Sequence, residues 1–210
     1  MSMQTTVFVQ SYPPLPFDRS AILRYAGARE STPELNALLD ECLAESEKAF
    51  VGKICYCQMP ISFADGVTDL AFTKTTSKDL ARNLAGCDRA VVFAATVGIG
   101  IDRLIAKYTS LSPAKALLLQ AIGTERIESL CDRFNEEIRE KAKAEACNTR
   151  PRFSPGYGDL PLSLQQDVFS LLGCSAKIGL SLNQSLLMSP TKSVTAIIGL
   201  IPDSTTRRTL

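Results

Sequence analysis

The sequence predicts an α+β domain: a curved, largely antiparallel sheet with helices packed on it, one of them long. Three observations carry this. A helical apolar period starts at Pro113 and reaches about Ala146, with Ile127, Leu130, Cys131, Phe134 and Ile138 on one face. The run Arg89 to Thr96 is apolar almost without interruption, as a strand buried on both faces is. Other strand-like runs come in hairpin-like neighbours instead of the strand–helix–strand alternation of a parallel sheet.

Taken in order, Asp18 is placed to cap a short helix through Ile22, Leu23 and Tyr25, ending at Gly27. Thr32 caps a second, with Pro33 in its first turn and Leu35, Leu38, Leu39 and Leu43 as its apolar stripe. Partial alternation from Phe50 to Phe63 predicts a strand. Asp65-Gly66 is a turn, and Val67 to Phe72 returns as a second strand. Ser77 to Leu84 reads as a helix stopped near Gly86. After the buried run, Gly98-Ile99-Gly100 precedes a helix over Ile101 to Tyr108. No third glycine follows and no acidic residue closes a second strand, so a dinucleotide fingerprint is rejected in favour of a turn that lets a helix pack close to the sheet. Beyond the long helix, Leu162 to Leu172 is a short helix stopped at Gly173, and Ser175 to Leu187 and Ser193 to Leu200 are expected strands around the polar loop Met188 to Ser193. Asp203 to Leu210 is an expected charged tail. The chain is expected to be one domain over 1–210: helices and a hairpin over 1–85, a ligand-binding core over 86–202, and a tail over 203–210.

Composition narrows the function. The net charge of +1 gives no nucleic-acid footprint, and no apolar run approaches a membrane span, so neither nucleic acid nor membrane is an expected partner. Met1 to Gln10 lacks the basic start and apolar core of a signal peptide. Seven scattered cysteines, an odd number without a C-x-x-C pair, suit buried thiols and a cytoplasmic protein. There is no histidine, which excludes Ser-His-Asp and Cys-His catalysis, the common zinc sites and an imidazole ligand to cobalt or haem iron.

The most informative stretch is Arg152-Phe153-Ser154-Pro155-Gly156-Tyr157. Arg offers a planar fork of donors suited to a carboxylate. Pro155 stiffens the loop, Gly156 admits conformations closed to other residues, and Tyr157 offers an apolar ring with a polar tip, suited to an adenine or ribose. A surface turn with a chance Arg and a packed Tyr is the bland alternative. Glu128 lies roughly 100° from the centre of the long helix's apolar stripe, at the edge of the buried face. It is either a site residue or a solvated or paired Glu.

Arg152-x-x-x-Gly156-Tyr157 resembles the S-adenosylmethionine-binding loop of the activation domain of cobalamin-dependent methionine synthase. The helix Glu128-Ser129-Leu130-Cys131-Asp132-Arg133-Phe134-Asn135-Glu136-Glu137-Ile138-Arg139 is similar to that family's long helix, with Glu128 in the register of its ligand-binding glutamate. Gly173 to Leu187, followed by Pro190-Thr191-Lys192-Ser193-Val194, looks like the family's glycine-led strand pair and Ser-Lys turn. The likeness covers roughly residues 90 to 200. Three features depart from it: Ala146, with Glu145 adjacent, stands at a second acid, Ser193 stands at a tyrosine, and the family's N-terminal aspartate that meets the ligand's amino group has no assigned counterpart. The resemblance implies that Arg152 takes the methionyl carboxylate, that Glu128 faces the ammonium or a ribose hydroxyl, and that Tyr157 and the Phe153 backbone meet the nucleoside, with Gly156 and Ser193 completing the site. It implies a component of methionine synthase in methionine biosynthesis rather than a complete enzyme. That component binds S-adenosylmethionine, meets cobalamin only on a partner protein, and serves reductive remethylation of cob(II)alamin with a flavodoxin- or ferredoxin-type electron donor. The alternatives are a reactivation subunit for another corrinoid methyltransferase, or an interaction subunit that has lost the ligand.

Overall fold

The computed structural model describes residues 5–203. The expected tail therefore lies, from residue 204 on, outside the described residues, as do the first four residues of the N-terminal segment. The elements run β1 (Phe8–Tyr12), α1 (Arg19–Tyr25), α2 (Pro33–Ser46), a 3-10 turn Glu47–Ala49, β2 (Gly52–Pro60), β3 (Ser62–Ala64), β4 (Val67–Asp69), β5 (Lys74–Thr75), α3 (Lys78–Asn83), β6 (Arg89–Thr96), α4 (Gly100–Leu111), α5 (Pro113–Ala144), β7 (Cys147–Thr149), α6 (Leu164–Leu172), α7 (Cys174–Ile178), β8 (Ser181–Leu182), β9 (Met188–Ser189) and β10 (Ser193–Pro202).

The caps expected at Asp18 and Thr32 form, and Ser77 and Ser112 cap as well: each accepts a backbone N–H of the first turn of the helix it opens. Pro113 stands at the start of α5, where its missing N–H leaves no ladder bond unmade. Asp65 and Gly66, both at positive φ, close the β3–β4 hairpin. That hairpin belongs to a small three-stranded sheet with β5. The long strand β2 pairs elsewhere, with β1 and β6.

The main sheet is antiparallel throughout, in the order β1-β2-β6-β10-β7. Its centre is β6, where every residue after Arg89 is buried. Alternation sends its side chains to two cores. Val91, Phe93 and Ala95 meet α5, with Phe134 packed 4.9 Å from the Phe93 ring. Ala90, Val92 and Ala94 meet Leu164, Val168 and Leu172 of α6 and the start of α7. The sheet thus lies between the α5 layer and the α6 layer.

Three expectations are corrected. Ser175 to Leu187 is not a strand: Gly173 and Gly179, both left-handed, bracket the short helix α7, and only Ser181–Leu182 is extended. Five helical residues between glycines are too few to show a 3.6 period in sequence. The strand β1 was unforeseen, because it is an edge strand with Phe8 and Val9 half-exposed and carries no clear alternation. The close approach foreseen at Gly100 is real, but its partner is backbone of the 3-10 turn rather than the sheet: a Cβ there would lie 2.3 Å from the Ala49 carbonyl oxygen. No helix among the described residues is long and apolar enough to cross a membrane.

Candidate functional site

Where the chain leaves β7 it continues along β10. Arg150 N–H bonds the Gly199 carbonyl at 2.8 Å, and Phe153 exchanges both backbone bonds with Ile197 at 2.9 Å. The pairing ends there, because Pro155 and Gly156, at φ +91°, turn the chain away. Ser193 to Thr195 are left on an open sheet edge. Since Ile197 and Gly199 direct their polar groups to this side, the alternation of an extended strand aims the N–H and C=O of Thr195 the same way. A cleft of ≈ 430 Å³ lies along that edge, lined by Glu128, Arg152, Phe153, Tyr157, Gln165, Met188 and Thr195 among others.

One wall is α5. Arg152 Nη2 donates to Glu128 Oε2 and Nη1 to Asp132 Oδ1, each at 2.6 Å. Glu128 and Asp132 stand four residues apart, so both carboxylates lie on one face of the helix. The Arg152 side chain is 24% exposed, Glu128 39% and Asp132 69%. Burial alone would lower the Arg152 pKa. The Asp132 hydrogen bond and the neighbouring negative charges outweigh it, so the guanidinium is held above its usual range and stays charged.

The far end of the loop is bolted to α3. Asp159 accepts from Lys78 N at 2.8 Å, Asp79 N at 3.2 Å and the Ser77 hydroxyl, and these bonds hold its carboxyl below the usual range. Gly158, at positive φ, lies close against Asp79: a Cβ there would sit 2.3 Å from its carboxylate oxygen and the Asp79 side chain would have to move. Between the two anchors Gly156 N bonds Leu160 O at 2.9 Å and Leu160 N bonds Tyr157 O at 3.0 Å, which presents the Tyr157 ring at the cleft mouth, 70% exposed.

The other wall is the α6 layer. Gln165, in the first turn of α6, is 5% exposed, and its Oε1 is buried without a hydrogen-bond donor. Met188 of β9 also lines the cleft.

The structure therefore brings Glu128, Arg152, Phe153, Tyr157 and Ser193 to one cleft. Gly156 is not in the lining; it shapes the turn, and its Cα faces Leu162. The Phe153 backbone is engaged with Ile197, so what that residue offers is its side chain. Ser193 is buried, with its hydroxyl 2.8 Å from Pro190 O and 2.9 Å from Thr96 Oγ1, turned into the strand layer. Glu145, next to the departing Ala146, is ion-paired with Arg89 at 2.9 Å and does not reach the cleft. Asp132, Gln165 and Thr195 escaped the sequence reading. For Gln165 the signal existed: it is a polar residue within the apolar face that Leu164, Val168 and Leu172 trace on α6.

The sequence profile of the family described as "Vitamin B12 dependent methionine synthase, activation domain" matches residues 74–206. A crystal structure described as the MetH reactivation domain bound to AdoHcy superposes with a TM-score of 0.64 at 16% identity, covering 96% of this chain and 80% of that one. No curated protein matches the chain. The profile spans well over half of the sequence, and the chain belongs to this activation-domain family.

Proposed function

We propose that this member of the family binds S-adenosylmethionine in the cleft along the open edge of β10, as the subunit that serves reductive remethylation of cob(II)alamin carried by a partner methionine synthase. The observation that carries the reading is the Arg152–Glu128 pair lining the cleft. The amino-acid end of S-adenosylmethionine is a zwitterion. A guanidinium beside a carboxylate is its complement: the ligand's carboxylate takes the Arg152 fork and its ammonium takes Glu128, so no charge is left unpaired when the protein's own pair opens. Asp132 keeps a second hold on Arg152 and preserves its direction. The exposed Tyr157 ring is available to cover the nucleoside.

One electron from a flavodoxin- or ferredoxin-type protein and the sulfonium methyl group together restore methylcobalamin on the partner and leave S-adenosylhomocysteine. This chain supplies position for that transfer, with no acid or base. Having no histidine, it leaves any imidazole ligand of the cobalt to the partner. All seven cysteines are buried and free, which supports a reducing, cytoplasmic setting.

Calorimetric titration with S-adenosylmethionine tests the reading. Saturable one-to-one binding, lost in Arg152→Ala, is expected. The absence of heat with the folded wild-type chain would instead favour an interaction subunit that has lost the ligand. Mixing the liganded chain with candidate corrinoid proteins under reducing conditions then separates methionine synthase from another corrinoid methyltransferase as partner.

A further inference from the structure

Among the described residues four buried side-chain polar atoms lack a hydrogen-bond partner, and of these only Gln165 Oε1 belongs to a residue lining the cleft. A buried amide oxygen with no donor is costly, and protein interiors seldom tolerate one without a use for it. Here the orphaned oxygen belongs to a residue that is only 5% exposed yet lines the same cleft as Arg152 and Glu128. Apart from Arg152 and Glu128 no charged residue lines the cleft, and Phe153, Tyr157 and Met188 supply apolar and aromatic faces. The Arg152–Glu128 pair suits a zwitterion, and the uncharged remainder of the lining suits a flat, neutral heterocycle with few hydrogen-bonding groups.

We infer that Gln165 reads the adenine of the bound nucleoside, accepting from the exocyclic N6 amine through Oε1 and donating to the adjacent ring nitrogen through its amide N–H. A carboxamide offers one acceptor and one donor side by side, and adenine presents the complementary pair along an edge; the same match underlies Gln and Asn recognition of adenine in nucleic acids. A 6-oxo purine breaks it, because the exocyclic donor becomes an acceptor and opposes the Gln165 oxygen. Sites that hydrogen-bond a ligand group reject the analogue lacking it far more sharply than apolar sites reject a change of size, because the buried partner is left unpaired. This rests on the ligand reading proposed above.

The test compares S-adenosylhomocysteine with its inosine counterpart on the full chain by calorimetry, for wild type, Gln165→Leu and Gln165→Glu. Wild type is expected to prefer the adenosine ligand by about tenfold or more. Gln165→Leu is expected to bring the two affinities within about twofold of each other, while the ligand-free protein melts no lower than wild type, since the substitution removes an unsatisfied buried group. Gln165→Glu keeps the acceptor and loses the donor, so it should lie between them for the adenosine ligand. A structural Gln165 would give the opposite signature: Gln165→Leu melts lower and its preference is unchanged. That outcome overturns the inference while leaving the ligand reading intact. Failure of wild type to bind either ligand would strike the ligand reading instead.

Discussion

Helix α5 supplies the acid of two Glu–Arg pairs, Glu125 and Glu128, three residues apart, and the pairs differ sharply. Glu125 and Arg126 are 2% and 6% exposed. Every nitrogen of the Arg126 guanidinium is engaged, with Glu125 and with the carbonyls of Leu15 and Pro16, and the group stacks 4.4 Å above the Phe17 ring. Glu125 also accepts from the Ser129 hydroxyl at 2.6 Å and from Asp18 N. The pair pins the Pro-rich segment before α1 to the long helix. Glu128 and Arg152 are partly exposed, and only one oxygen of Glu128 is occupied. A saturated buried pair is structure. An unsaturated pair in an open cleft can trade its partner for a ligand.

The largest effect that would break this contrast is on stability. Removing one member of a buried, fully bonded ion pair leaves an uncompensated charge, at a cost of about 3–5 kcal/mol. Arg126→Met should lower the denaturant midpoint accordingly, while the fraction still folded binds ligand as before. A loss of that size at Arg152 instead, with Arg126 tolerant, would reverse the assignment of the two pairs.

Next in size is Arg152. Its ion pairs are accessible, so Arg152→Ala should change folding stability by no more than about 1 kcal/mol. Binding of S-adenosylmethionine should fall by about 2–5 kcal/mol, the usual range when one partner of a hydrogen-bonded charge pair is removed. Arg152→Lys should rescue little, because an ammonium cannot reproduce the two-pronged contact with Asp132 and a ligand carboxylate. Unchanged calorimetric affinity in both variants would remove the loop from the site.

Glu128→Gln follows. It keeps the shape and deletes the charge. If the ligand ammonium is the partner, affinity should drop by about 1.5–3 kcal/mol, the range for hydrogen bonds to charged groups. A ribose hydroxyl would still find an acceptor in the amide, and the loss would be smaller. No change in affinity, with stability shifted by less than about 0.5 kcal/mol, would leave Glu128 a mere partner of Arg152.

The two pairs also show where reading the sequence succeeds and where it stops. The Pro113 helix and the Arg89–Thr96 strand were legible because their apolar periods are long, and the caps Asp18 and Thr32 because they act within one turn of themselves. Glu128 and Arg152 were legible as a helix-edge acid and a loop cation. The burial of Glu125 and Arg126 was not, because it depends on α1 and the preceding segment folding over a face of α5 that looks polar in isolation. Gln165 was visible as a polar residue on an apolar face, but that its oxygen has no donor is a property of the assembled cleft alone. Helix α7 escaped because two glycines leave it a single turn.

A third acid on α5 provides the smallest and finest test of saturation as the dividing line. Glu137 accepts from Gln10 Nε2 at 2.8 Å, the Tyr12 hydroxyl at 2.9 Å and Arg133 Nε at 3.0 Å, tying edge strand β1 to the helix. Partial burial would raise its pKa, but those three donors prevail and lower it from 4.5. A carboxyl depressed in the folded state stabilises above its unfolded pKa and loses that contribution as pH falls through its folded value, so the tie should weaken only below the ordinary carboxylate range. Solvent screens the group, which limits the effect to less than about 1 kcal/mol. Amide exchange of Phe8 to Tyr12, corrected for intrinsic rates and compared between about pH 6 and about pH 3, should show protection lost in β1 and kept in β6. In Glu137→Gln the weakened protection should already be present at the higher pH and change no further. An equal pH response in the variant would mean that bonds to a half-buried carboxylate do not hold the edge strand, and that saturation with only partial burial leaves a pair closer to Arg152 and Glu128 than to Arg126 and Glu125.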